Sequence, residues 1–184
     1  MLSFTNFFSH IKHPFIYVCI NLKILFQYFN FPQLKVLLTS LYINNPETPC
    51  RIFLMHRNIP ETTLNNLSNK LRQFRYELHP VSVDEAFFID GPTMKQYPQE
   101  MYYRLLAGLL LPDNIDRILY LDPDILIINL LQVLCQTDMD NHLFAAAAHT
   151  GKTELANNVN RLRLGTNEDY YNSGVLLINL DKCL

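Results

Sequence analysis

The chain has 184 residues, 49% of them hydrophobic and 12% aromatic, which is the length of one domain and enough apolar material for a real core. Charged residues make up 17% and the formal net charge is −2, which excludes a disordered polymer and leaves no basic field for nucleic acid. Cys19, Cys50, Cys135 and Cys183 are scattered without a C-x-x-C pair, which argues against a zinc ribbon or a disulfide framework and favours a reducing compartment.

Residues 1–31 are rich in Phe, Ile, Leu and Tyr and poor in acids. Phe15-Ile-Tyr-Val-Cys-Ile20 resembles a short signal core, but Asn21 and Lys23 interrupt it and no small-residue cleavage pattern follows. The stretch is too short and too polar for a membrane span. We therefore set 1–31 apart as an aberrant or extended hydrophobic N-terminal segment and take 32–184 as the domain. Residues 32–44 read as a helix, with Leu34, Leu37, Leu38, Leu41 and Tyr42 on one face, Pro32 in the first turn and Asn44-Asn45-Pro46 at the end. A short buried strand follows over 50–55. A second helix spans 60–74, with Leu64, Leu67, Leu71 and Phe74 on one side and Lys70, Arg72 and Arg75 on the solvated side. Residues 76–81 form a third segment with strand character.

Residues 98–110 read as a helix opened by Pro98 and Glu100 and stopped by Leu111-Pro-Asp-Asn114. An apolar run then rises from Arg117 to Leu121, reads as a buried strand, is broken by Asp122-Pro123-Asp124 and resumes to Ile128. A short helix at 130–135, a small-residue strand at 143–148, a helical stretch at 152–162 and a strand at 171–179 complete the pattern. Strands alternate with helices, so the expected architecture is an α/β sandwich with a mostly parallel sheet. Ligands of such sheets bind beyond the carboxyl ends of the strands, where Asp122 and Asp124 would lie.

Two carboxylates one residue apart at the end of a buried strand are costly to hold in apolar surroundings unless a cation or hydrogen bonds compensate them. Pro123 biases Asp122 toward extended backbone, and in a continuing strand Asp122 and Asp124 point to the same side. Oxygen-only ligands suit Mg²⁺ or Mn²⁺, ions that keep positions open for water and phosphate. Such an ion makes a bridged diphosphate a better leaving group by absorbing the charge that develops on its oxygens. Asp-Pro also marks ordinary turns, and D-x-D recurs by chance. A second instance, Asp138-Met-Asp140, has no apolar strand before it and reads as loop.

Three segments together resemble glycosyltransferase family 8, which includes bacterial lipopolysaccharide galactosyl- and glucosyltransferases. They are Met101-Tyr-Tyr-Arg-Leu-Leu106, Arg117-Ile-Leu-Tyr-Leu-Asp-Pro-Asp124 and Tyr170-Tyr-Asn-Ser-Gly-Val-Leu-Leu-Ile-Asn-Leu180. The resemblance implies a GT-A fold, Rossmann-like, with a mostly parallel sheet flanked by helices. It also implies a UDP-sugar donor, Mn²⁺ (or Mg²⁺), retention of anomeric configuration, and transfer of a hexose to a glycan or lipid-linked acceptor in lipopolysaccharide or cell-wall glycan synthesis. Carried over by position, Asp122 and Asp124 hold the metal, Asp122 and Arg104 contact the donor, and Asn172 and Ser173 line the sugar site. Taken singly, Arg104 could equally be a surface helix residue, and Asn172 could turn the chain before Gly174. No catalytic residue is assigned.

The chain departs from the family pattern in two places. Gln27-Tyr-Phe-Asn30 stands where the family's acidic segment grips uracil, and it contains no carboxylate. The family's later D-Q segment and its C-terminal histidine ligand have no counterpart before Leu184. The expectation is a truncated transferase, weak or inactive alone, located in the cytoplasm, with peripheral association at the inner face of the membrane left open. Two alternatives are a non-catalytic remnant that binds nucleotide or metal and a haloacid-dehalogenase-type phosphatase. The latter also ends a strand in D-x-D but continues with Gly-Thr or a Thr/Val, where this chain has Ile125-Leu126.

Overall fold

Among the described residues six strands form one sheet, with strand order β3-β2-β1-β4-β6-β5. The computed structural model describes residues 20–26, 31–84, 86, 103, 105–148, 158–159, 161–163, 165–168 and 171–183. The strands are β1 Ile20–Phe26, β2 Cys50–His56, β3 Tyr76–Ser82, β4 Arg117–Leu121, β5 Phe144–Ala148 and β6 Tyr171–Asn179. The helices are α1 Phe31–Asn44, α2 Glu61–Arg72, α3 Ala107–Leu110 and α4 Gln132–Cys135, and a 3₁₀ turn covers Leu180–Lys182. Strands β1 to β4 run parallel. β6 is antiparallel to β4, and β5 is antiparallel to β6.

Local sequence explains most of these elements. In α1, Leu34, Leu37, Leu38 and Leu41 are buried at i, i+3, i+4 and i+7, and Pro32 sits in the first turn, where no intrahelical N–H is required. In α2, Leu67 and Leu71 are buried, while Glu61 opens the helix and Lys70 and Arg72 close it, each with the sign that the helix dipole favours. β2 is buried almost throughout, as befits a central parallel strand covered on both faces. Pro80 lies in β3, which is the edge strand, so its missing donor is tolerated.

Period-two alternation divides the apolar side chains between two cores. Ile52, Leu54, Leu119 and Leu121 join the core under α1 and α2. Phe53, Met55, Ile118 and Tyr120 join the opposite core, with Tyr103, Leu106, Ala107 and Leu111. Gly108 allows α3 to lie against the chain end: a β-carbon there would come within 2.7 Å of Cys183 Cβ.

The structure corrects the sequence reading at two points. β1 lies inside the segment set apart as residues 1–31, between β2 and β4 in the middle of the sheet. Its Asn21 and Lys23 break the apolar pattern by which a strand is recognised. β4 ends at Leu121, as the carboxylates at a strand end suggest, and the strand does not continue through them. There Asp122-Pro-Asp-Ile125 turns, with the Ile125 N–H donating to the Asp122 carbonyl at 3.3 Å and proline at the second position. Asp122 and Asp124 therefore do not share a strand face. The apolar stretch 125–128 runs on outside any strand, and α1 side chains take up both backbone groups of Ile127. Ser40 Oγ accepts the Ile127 N–H at 3.0 Å. Asn44 Nδ2 donates to the Ile127 carbonyl at 2.8 Å.

Most of the helix expected over 98–110 lies outside the described residues, which show α3 and a 3₁₀ stretch at Tyr103, Leu105 and Leu106. The helix expected over 152–162 also falls largely outside them; residues 158–159 and 161–163 are helical.

Candidate functional site

The chain winds from β1 outward to β2 and β3, then returns across β1 to start β4. The order reverses between β1 and β4, and in open α/β sheets the crevice at the carboxyl end of such a reversal is where ligands bind. Asp122 is the first residue beyond the carboxyl end of β4.

Its backbone is tied across the sheet. The Asp122 N–H donates to the Gly174 carbonyl at 2.8 Å, which extends the β4–β6 ladder by one bond beyond the Leu121–Val175 pair. The half-buried Asp122 side chain is held from below by the Tyr120 hydroxyl, which donates to Oδ1. Oδ2 faces Gly174, where a β-carbon would sit only 2.8 Å away. The same β-carbon would lie 3.2 Å from Asn172 Oδ1. The Gly174 N–H donates to Asn172 Oδ1 at 2.7 Å. Asn172 thus makes the local turn that Asn-x-Gly invites, and this bond leaves its NH₂ group aside, a donor on an exposed residue.

Asp124 is exposed in the turn. It lines an open cavity of about 350 Å³ between the turn and the start of α1, with Pro32, Gln33, Val36, Pro123, Ile125 and Leu126. The polar clamp from α1 continues along the segment that carries this wall. Asn45 Oδ1 accepts the Leu131 N–H at 2.8 Å, and Asn45 Nδ2 donates to the Asn129 carbonyl at 3.3 Å. His56 ends β2 at the same edge of the sheet, buried, with Nδ1 accepting the Ile59 N–H at 3.4 Å, and burial lowers its pKa below the ordinary value.

The structure thus gathers Asp122, Asn172 and Gly174 at one place and sets Asp124 in the adjoining turn. Ser173 is exposed on β6 beside them. Arg104 and the Gln27–Asn30 stretch lie outside the described residues. Asp138-Met-Asp140 is a loop, as expected, with Asp138 Oδ1 accepting the Asp140 N–H at 3.0 Å. The sequence pattern gives Tyr120 no site role of its own, although strand alternation puts it on the face of Asp122. The clamp of Ser40, Asn44 and Asn45 left no trace in the local pattern.

Carboxylates such as those of Asp122 and Asp124 offer oxygen donors only, the kind that a hard divalent ion such as Mg²⁺ or Mn²⁺ takes. Among the described residues no three His, Cys, Asp or Glu side chains converge, so a cation held here would take its remaining ligands from water or phosphate. No helix among the described residues is long and apolar enough to cross a membrane.

Residues 19–183 match the family model described as Glycosyl transferase family 8. A Haemophilus influenzae protein named as a glycosyltransferase is 26% identical over 152 residues, 82% of this chain and 46% of that protein. The lipopolysaccharide 1,3-galactosyltransferase of Salmonella typhimurium is 23% identical over 147 residues, 79% of this chain and 44% of that one. The chain spans about half the length of these curated relatives. The crystal structure of galactosyltransferase LgtC, in complex with donor and acceptor sugar analogs, superimposes with a TM-score of 0.76 at 25% identity, covering 89% of this chain and 59% of that one. The fold is of the GT-A type.

Proposed function

The chain belongs to glycosyl transferase family 8, and from that premise we propose that its site binds the diphosphate of a UDP-sugar through a divalent cation on Asp122 and Asp124, for transfer of a hexose to a glycan or lipid-linked acceptor. The observation that carries the reading is the seat of Asp122, tied by its backbone to Gly174 and by its side chain to Tyr120 at the carboxyl end of the parallel sheet.

In this reading Asp122 and Asp124 would hold Mn²⁺ or Mg²⁺, which when bound would offset charge on the diphosphate oxygens. The carboxylates stand on separate supports, Asp122 on the sheet and Asp124 on the turn. Preorganised supports of this kind spare the site from reorganising when charge develops. Asn172 has its amide oxygen engaged by Gly174, and its NH₂ group would be the donor to a sugar hydroxyl. Ser173 offers a hydroxyl beside it, and Arg104 contributes a planar cation for phosphate. The LgtC structure is a complex with donor and acceptor sugar analogs, and we extend both partner classes to this chain. We place the protein in the cytoplasm, where its described Cys50, Cys135 and Cys183 stay thiols. Family membership displaces the phosphatase alternative.

Calorimetry with UDP and Mn²⁺ tests the site. Wild-type protein should bind UDP only when Mn²⁺ or Mg²⁺ is present, and Asp124→Asn should remove the metal-dependent heat. Equal UDP binding with and without metal, or in the Asp124→Asn protein, refutes the assignment. A transfer assay with UDP-hexoses then distinguishes an enzyme from a domain that only binds donor.

A further inference from the structure

We propose that Tyr120 is a positioning residue for the donor site: its phenol sets the orientation of the Asp122 carboxylate, and the missing side chain of Gly174 leaves the room that this orientation needs. The inference rests on the donor-site reading above.

Tyr120 is fully buried in the core opposite α1 and α2. A buried phenol needs a hydrogen-bond partner, and this one finds Asp122 Oδ1. The contact follows from strand geometry, since residues two apart face the same side. The ring packs among core residues including Tyr103, Ile118 and Ile178, so the hydroxyl is aimed by the core rather than by a flexible loop. On the far side of the carboxylate, Oδ2 occupies the space above Gly174, where any β-carbon would stand 2.8 Å from it. Asn172 closes the same corner through its bond to the Gly174 N–H. The Asp122 carboxylate is therefore gripped at one oxygen and seated at the other. A phenol that donates to a metal-binding carboxylate orients it without touching the ion, and loss of such a partner typically weakens metal binding about 10- to 100-fold.

The test measures Mn²⁺ affinity in the presence of UDP, by the loss of the free-ion electron paramagnetic resonance signal, on the full chain. Tyr120→Phe keeps the ring and removes only the hydroxyl. Ile118→Val serves as the packing control, because Ile118 is also fully buried on the same face of β4. Tyr120→Phe should weaken Mn²⁺ binding about 10- to 100-fold, whereas Ile118→Val should lower the melting temperature yet hold affinity within about twofold. Equal weakening by both variants would mean that the phenol matters only for packing, and the inference falls. Unchanged affinity in Tyr120→Phe also overturns it, and leaves the donor-site reading standing if Asp122→Asn still loses the metal. Failure of the wild-type protein to bind Mn²⁺ with UDP overturns the donor-site reading and this inference with it.

Discussion

Asn45→Ala probes the clamp that holds the chain after the Asp122 turn. Asn45 is 1% exposed and makes three side-chain hydrogen bonds. Two of its partners survive its loss. The Asn129 carbonyl is on an exposed residue and can turn to water, and the Leu41 carbonyl still accepts the Asn45 backbone N–H at 2.8 Å. The third partner, the N–H of buried Leu131, loses the acceptor it holds at 2.8 Å. An orphaned buried donor costs about 2 kcal/mol, the middle of the usual range. For a chain of this length that is a fall in melting temperature of roughly 4–8 °C, at about 2–4 °C per kcal/mol. Thermal denaturation followed by circular dichroism reads the shift, and hydrogen exchange should show the Leu131 amide losing protection before the β4 amides do. An unchanged melting temperature, or a Leu131 amide as protected as before, would refute the claim that Asn45, just past α1, supplies this segment with the partner a strand would otherwise give.

Ser40→Ala should act in the same direction by orphaning the Ile127 N–H, at a cost of about 1–2 kcal/mol in chemical denaturation. His56 supplies a pH dependence: burial lowers its folded pKa below 6.5, so the unfolded chain takes up a proton that the folded chain refuses. That contribution to stability is complete above pH 6.5 and is lost as pH falls through the folded pKa, so the His56→Gln protein should show a shallower loss of stability between neutral and mildly acid pH. The Cys135 thiol is pushed up to about 11 by burial, against the opposing pull of Arg117; iodoacetamide at pH 8 should therefore label it much more slowly in the native protein than in the unfolded one. Gly108→Ala drives a β-carbon to 2.7 Å from Cys183 Cβ and should cost about 1–3 kcal/mol, read as a lower urea midpoint at unchanged slope.

The elements whose evidence is local were legible from the chain alone. The leucine spacing of α1, the paired leucines of α2, the unbroken apolar run of β2 and the Asp122-Pro-Asp124 punctuation each carry their signal within a few residues. So did the three segments that resemble family 8, and the α/β order that follows from alternating periods. What escaped was decided by partners far away in sequence. β1 is a strand although Asn21 and Lys23 interrupt its apolar pattern, because β2 and β4 pair with it on both sides. The apolar run that resumes at Ile125 is held outside the sheet: Ser40, Asn44 and Asn45, more than 80 positions earlier, bond the backbone of Ile127, Asn129 and Leu131. The seat of Asp122 depends on Gly174 from another strand. Periodicity records which face a residue presents; only the packed chain determines which backbone groups meet, because a buried N–H or C=O binds whatever acceptor or donor the fold brings to it.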